Sequence, residues 1–304
     1  MDRAVGIAPH TPGGKTTVSR VTSTLKEITT MRLSLHPVIL GGSLSFEDML
    51  GLAAKLGYEG IDTGCELALE MGAEEFLGLC DQYNVELSVW PMGVEWRRDE
   101  DTFQRHLTAL PDQAAFAAEL NCTRTCTWIP PAVEGDADET RKTWMRRWGE
   151  IAKVIAEHGH SFGLEWVAPY HTRAGKNEVV WRMTELLEIE DEIGEPNLGL
   201  LVDSYHWFNA SQTAAELAAV PVEKVVHVHL NDAPDRPLEE QQDMERLTPG
   251  EGIIDLHGFL GALKKMGYRD FLGVEIFNAE LKQLPAEISA TRVKKACDKL
   301  LSEI

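Results

Sequence analysis

Short apolar runs alternate along the chain with longer segments whose apolar positions recur every three or four residues. The first pattern is that of buried strands, the second that of amphipathic helices. Strands are predicted over 31–35, 61–63, 85–90, 123–128, 161–167, 198–203, 225–230 and 271–277. Helices are predicted over 45–56, 73–83, 99–120, 140–158, 178–193, 211–219, 255–266 and 287–302. Ser45 and Asp255 carry capping signals, and Pro111 is expected to kink or divide its helix. Segments 129–139 and 231–252 read as polar loops inserted on one face.

Eight strand–helix units argue for a parallel sheet, and for a closed (β/α)8 TIM barrel rather than an open doubly wound sheet. The fold class is therefore α/β, with one domain over 31–304. No Gly-x-Gly-x-x-Gly follows the first strand, so a dinucleotide-binding fold lacks its fingerprint. Residues 1–30, rich in Thr, Ser, Gly and Pro, read as an N-terminal extension outside the fold and partly disordered.

The strand ends change the picture. The runs Phe162 to Glu165, Leu198 to Asp203, Val225 to His229 and Phe271 to Glu275 are apolar and stop on Glu, Asp, His and Glu. In a barrel these ends share one face, where active sites sit. Glu165, Asp203, His229 and Glu275 would come from four adjacent staves. Three carboxylates there would repel one another without a cation. One nitrogen and three carboxylates suit one divalent ion, Mn²⁺ or Mg²⁺ first, Co²⁺ or Zn²⁺ next. Gly163 and Gly273, two residues earlier, would leave room in the layer below.

Several neighbours are candidates for substrate contact. His206 lies three residues past Asp203, and His171 follows the fifth strand. Trp90, Trp128, Trp166 and Trp207 fall at or just beyond strand ends, and Trp128 or Trp166 could wall a polyol pocket. His227 reads as a packed barrel residue and Asp232 as a turn holder. His10, His106, His158, His160 and His257 read as solvated.

The formal charge of -20 disfavours a nucleic-acid partner. The five cysteines are an odd, scattered set, which points to a reducing cytosol. With no hydrophobic leader and no long apolar run, the expectation is a cytoplasmic protein without membrane contact. A homo-oligomer is left open.

Taken together, Gly163-Leu164-Glu165-Trp166, Asp203-Ser204-Tyr205-His206, His227-Val228-His229-Leu230-Asn231-Asp232, Pro249-Gly250-Glu251-Gly252 and Gly273-Val274-Glu275 resemble the xylose isomerase-like barrel superfamily. Its inosose isomerase-like branch looks nearest, through Asp243-Met244-Glu245-Arg246 and the segment from Asp255. The resemblance implies that Glu165, Asp203, His229 and Glu275 are metal ligands. It implies that Glu165 and Glu275 are also the acid/base pair, and that Arg246 contacts substrate. The endonuclease branch takes histidines from strands three and four, where this chain has Trp90 and Trp128.

The expected activity is a metal-dependent isomerase or epimerase of a small polyhydroxy ketone, a sugar or an inosose. Proton transfer would pass through an enediolate held by the metal. A dehydratase of a dehydroshikimate-like or keto-sugar substrate shares the first step and stays open. A non-catalytic metabolite-binding barrel is the remaining alternative.

Overall fold

The computed structural model describes residues 30–42, 44–62 and 65–304, side chains of 65–67 excepted. The expected extension, with His10, lies almost wholly outside the described residues. Four strands come first: β1 (Arg32–Leu35), β2 (Gly60–Ile61), β3 (Glu86–Leu87) and β4 (Trp90–Pro91). Then follow β5 (Arg124–Ile129), β6 (Ala132–Val133), β7 (Ser161–Trp166) and β8 (Asn177–Glu178). The last are β9 (Leu198–Asp203), β10 (Val225–His229) and β11 (Phe271–Gly273).

Nine of these form one parallel sheet in the order β3-β2-β1-β11-β10-β9-β7-β5-β4. Its two terminal strands, β3 and β4, are separated only by Ser88 and Val89, so they are two pieces of one stave. The ring therefore closes as eight staves: the TIM barrel that the hydrophobic pattern predicts.

Helices cover the outside. They are α1 (Phe46–Leu56), α2 (Cys65–Met71), α3 (Ala73–Tyr83), α4 (Glu100–Glu119), α5 (Ala137–Ala156) and α6 (Tyr170–Arg173). After them come α7 (Met183–Ile193), α8 (Ser204–Asn209), α9 (Ala214–Ala218), α10 (Leu256–Met266), α11 (Ala279–Gln283) and α12 (Ala286–Ser302). Ser45 and Asp255 accept from Asp48 N and Gly258 N, as their capping signals predict. None of the described helices is long and apolar enough to cross a membrane.

Several boundaries differ from the sequence expectation. Segment 129–139 is not all loop: β6 pairs antiparallel with β8, and α5 starts at Ala137 because Asp136 caps it. Residues 178–182 are not helical, since Glu178 belongs to that two-stranded sheet. Between β9 and α9 an unforeseen α8 begins directly on Asp203, and α9 starts at Ala214 behind a Thr213/Glu216 capping box. Pro111 does not divide α4. His160 is buried, bonded through Nδ1 to Trp90 Nε1 (3.1 Å) and through Nε2 to Ala114 O (2.8 Å).

The long segment after β10 is tied down by one carboxylate. Asp232 accepts from the backbone N–H groups of Ala233 (2.8 Å), Ile254 (3.0 Å), Gly250 (2.9 Å) and Gly252 (2.9 Å). A Cβ on Gly252 would stand 2.1 Å from Ala233 O, and Gly250 has φ +84°. The glycines of the Pro249–Gly252 motif thus let the backbone wrap round Asp232. Asp232→Ala leaves four N–H groups, those of Ala233 and Ile254 buried, without that acceptor. Its expected cost is about 2–4 kcal/mol of stability, read as a lower denaturation midpoint. No loss beyond 0.5 kcal/mol, as for an ordinary surface change, would contradict this role.

Glu190 sits on the buried face of α7 with Met183, Leu186 and Ile189. Both its carboxylate oxygens lack hydrogen bonds, and Lys224 Nζ is 3.6 Å away. Burial pushes its pKa up to about 8, with Lys224 only partly opposing. The folded state therefore holds a proton that the unfolded chain releases near its ordinary value of 4.5. This contribution to stability is complete below that value and is lost as pH rises to about 8. Glu190→Gln is expected to flatten that slope and to stabilise the protein at pH 8.5 by on the order of 2–5 kcal/mol. Parallel pH–stability curves for the two proteins would refute the assignment.

Candidate active site

The C-terminal ends of β7, β9 and β10 carry Glu165, Asp203 and His229, and Glu275 follows β11 by two residues. Each can offer one donor atom such that all four lie within 4.8 Å of one another. Twice a metal–oxygen distance of about 2.0–2.4 Å spans such a gap. His229 Nδ1 lies 3.3 Å from Glu275 Oε2, 3.7 Å from Glu165 Oε1 and 3.8 Å from Asp203 Oδ2. Both His229 Nδ1 and Glu165 Oε1 are buried with no hydrogen-bond partner. Unpartnered donors facing one point, all of hard or borderline type, fit a divalent cation.

Other groups hold these side chains in place. Asp203 caps α8, accepting from Tyr205 N (2.7 Å) and His206 N (3.4 Å), and Asn231 Nδ2 donates to both its oxygens at 3.1 Å. Arg246 Nη1 donates to Asp203 Oδ2 and to Glu275 Oε2, each at 2.9 Å. Its Nη2 reaches Asp243 Oδ1 at 2.8 Å. His206 Nε2 lies 3.9 Å from Glu165 Oε1 and 4.0 Å from Asp243 Oδ1.

The electrostatics separate the two glutamates. Burial raises the Glu165 carboxyl above its ordinary value, and His229 and His206 only partly oppose this. Burial acts in the same direction on Glu275, but His229, Arg246 and His36 together outweigh it and hold that carboxyl well below its ordinary range.

The other expected contacts are placed differently. His171 is exposed and bonds through Nδ1 to Gln241 O (3.0 Å), so it touches the long segment after β10. Arg246 is buried, and its donors are directed at Asp203, Asp243 and Glu275. Trp128 is 52% exposed and is the register partner of Glu165 on the neighbouring stave, so both leave the same face. Trp166, one residue past Glu165, is fully buried and by alternation faces the helices rather than the mouth. Trp207 packs on Phe259.

Three residues joining the centre escaped the sequence reading. His36 Nε2 lies 3.5 Å from Glu275 Oε1, and Asp243 pairs with Arg246. Asp62 Oδ2 lies 3.2 Å from His227 Nε2 and 3.9 Å from His229 Nε2. The space beside Gly273 is not empty as expected: a Cβ there would stand 1.9 Å from Asp62 Oδ2. The space beside Gly163 is likewise filled, by Cys126 Sγ at 2.6 Å.

An inosose isomerase of Bacillus velezensis is 28% identical over 166 residues, 55% of this chain and 57% of that protein. A 3-dehydroshikimate dehydratase of Pseudomonas aeruginosa is 35% identical over 143 residues, 46% of this chain and 22% of that protein. The chain thus matches little more than half of the first relative and under a quarter of the second. Among solved structures, a xylose isomerase domain protein from Alicyclobacillus acidocaldarius superposes with TM-score 0.84 at 30% identity, over 90% of this chain and 99% of that one. The IOLI protein with a bound zinc atom superposes with TM-score 0.77 at 22% identity, over 90% and 99%. The profile of the xylose isomerase-like TIM barrel family matches residues 50–300, and the chain belongs to that family.

Proposed function

We propose that the protein is a divalent-metal-dependent isomerase or epimerase of a small polyhydroxy ketone, a sugar or an inosose. The observation that carries this reading is the convergence of Glu165, Asp203, His229 and Glu275, with Glu165 Oε1 and His229 Nδ1 left without hydrogen bonds. The partial matches to inosose isomerases agree with it. The zinc in the IOLI structure agrees with a divalent ion here and leaves its identity among Mn²⁺, Mg²⁺, Co²⁺ and Zn²⁺ open.

A divalent ion held by these four residues would supply Lewis-acid polarisation of a ketone carbonyl. The chain's own groups do the rest. Glu165 takes the proton from the carbon beside the carbonyl; the electron pair of the broken C–H bond forms a carbon–carbon double bond, and the carbonyl π pair moves onto oxygen. Glu165 then returns that proton to the former carbonyl carbon, while Glu275, ionised from the start, carries the proton of the neighbouring hydroxyl to the former carbonyl oxygen. His206 lies close enough to Glu165 Oε1 to bond a substrate hydroxyl beside it. Arg246 orients Asp203 and Glu275 through paired hydrogen bonds and helps hold the Glu275 carboxyl below its ordinary range. Trp128 covers the C–H face of the substrate.

Loss of water after the first proton transfer is the second reading, and the match to a 3-dehydroshikimate dehydratase favours it. The product mass separates the two, since isomerisation conserves it.

The purified protein is expected to hold one divalent ion per chain by metal analysis, and Asp203→Asn to hold less. Incubation with ketoses and inososes in deuterated water is expected to replace the C–H beside the carbonyl, followed by NMR, only when metal is present. Glu165→Gln is expected to slow that exchange by about 10²–10⁴-fold. A metal-replete protein that exchanges no ketose or inosose would remove the isomerase reading.

A further inference from the structure

One cation at the rim is left without an acidic partner. Arg97 lies in the segment between β4 and α4, at the end of the barrel that carries the centre. Its Nη2 donates to Thr127 Oγ1 (2.9 Å) and to the carbonyl oxygen of Trp128. Its guanidinium carbon lies 4.3 Å from the Trp96 ring centre and 4.2 Å from that of Trp128. Its Nε is buried with no partner, and among the described residues Arg97 forms no ion pair. Arg246 and Arg173, by contrast, are paired with carboxylates.

The surroundings make this cation rigid. Trp96 is fully buried, edge-on to Trp144 (5.4 Å) and Trp148 (5.2 Å), with Nε1 donating to Thr127 Oγ1 (3.2 Å). Arg147 of α5 donates to the carbonyls on either side of Arg97, Trp96 O (2.7 Å) and Arg98 O (2.6 Å). Backbone and ring platform are thus fixed before any ligand arrives. Burial pulls the Arg97 pKa down to about 10, with Glu95 partly opposing, so the group stays charged at neutral pH.

Its position relates it to the centre. Trp128, on which it stacks, is the register partner of Glu165 and leaves the same face. A ligand held at Glu165 and extended along the Trp128 ring reaches the guanidinium. A stacked, fixed guanidinium recognises planar anions. The net charge of -20 repels anions at long range, so an anionic substrate needs such a local counter-charge.

We infer that Arg97, framed by Trp96 and Trp128, is a subsite for a carboxylate on the substrate, so that the polyhydroxy ketone handled here is a sugar acid or cyclic polyol acid. The substrate class rests on the proposed function; the subsite is tested by binding alone. The probes are D-fructuronate and D-fructose, a ketose with and without the carboxylate, titrated calorimetrically into the Mn²⁺-loaded full chain.

The acid is expected to bind at least about tenfold tighter than the neutral sugar. Arg97→Gln is expected to reduce this ratio to about threefold or less, and Arg97→Lys, which keeps the charge but not the fork, to an intermediate value. Equal affinities, no binding of the acid, an unchanged ratio in Arg97→Gln, or equal weakening of both sugars would each overturn the subsite. If Arg97→Gln does not fold, the lysine variant decides: a lower ratio supports the subsite and an unchanged one overturns it. Deuterium exchange separates the two readings. An acid preference without C–H exchange of either sugar removes the isomerase and keeps the subsite. Exchange of both sugars without acid preference does the reverse.

Discussion

Three carboxylates within reach of one another, two buried and the third largely so, set the problem that the rest of this protein answers. Two unit charges about 4 Å apart repel by about 4 kcal/mol at an effective dielectric near 20. Glu165, Asp203 and Glu275 are all placed where burial adds to that cost. The chain answers with donors from many elements: Arg246 on Asp203 and Glu275, two N–H groups of α8 and the Asn231 amide on Asp203, and His36 beside Glu275. Glu165 alone keeps a buried oxygen without a hydrogen bond. A divalent cation held at the centre, as proposed, would neutralise the charge gathered there.

Arg246 depends in turn on a feature with no chemistry of its own. It lies in the segment after β10, and that segment keeps its course because Asp232 gathers four backbone N–H groups. Arg246 N also donates to Phe277 O (3.0 Å), and Leu247 exchanges backbone bonds with Asp232. The Pro249–Gly252 motif is therefore a wrapping device. Its glycines answer for the loop, and the loop places the guanidinium.

The barrel was legible because parallel strands buried on both faces read as continuous apolar runs. The convergence of Glu165, Asp203, His229 and Glu275 was legible for the same reason, since each polar residue ends such a run and parallel staves all end on one face. Asp62, His36 and Asp243 had no such frame. β2 contributes only two residues to the ladder, so Asp62 reads as an ordinary polar residue at a strand end. Its partner His227 is 165 residues away in sequence. His36 stands before a proline and reads as a break, and Asp243 opens a single 3-10 turn inside a long polar segment. The misread start of α5 has a local cause: Asp136 caps four residues before the first position with clear helical periodicity, Thr140. His160 was misread because burial by Trp90 and Ala114 is a tertiary fact.

The layer below the centre shows how a missing side chain can act at a distance. Gly273 faces the barrel axis, and the volume a side chain would take there holds the Asp62 carboxylate. One oxygen of Asp62 accepts from Ser34 and Ser88, and the other faces His227 and His229. Burial would raise its pKa, but His227, His36 and His229 outweigh this and drive it well below the ordinary carboxylate range. An ionised Asp62 beneath His229 attracts the N–H edge of that ring. The ring's other nitrogen, Nδ1, is then the one turned to Glu165, Asp203 and Glu275. Which atom of His229 faces the centre is thus set by a glycine on the next stave.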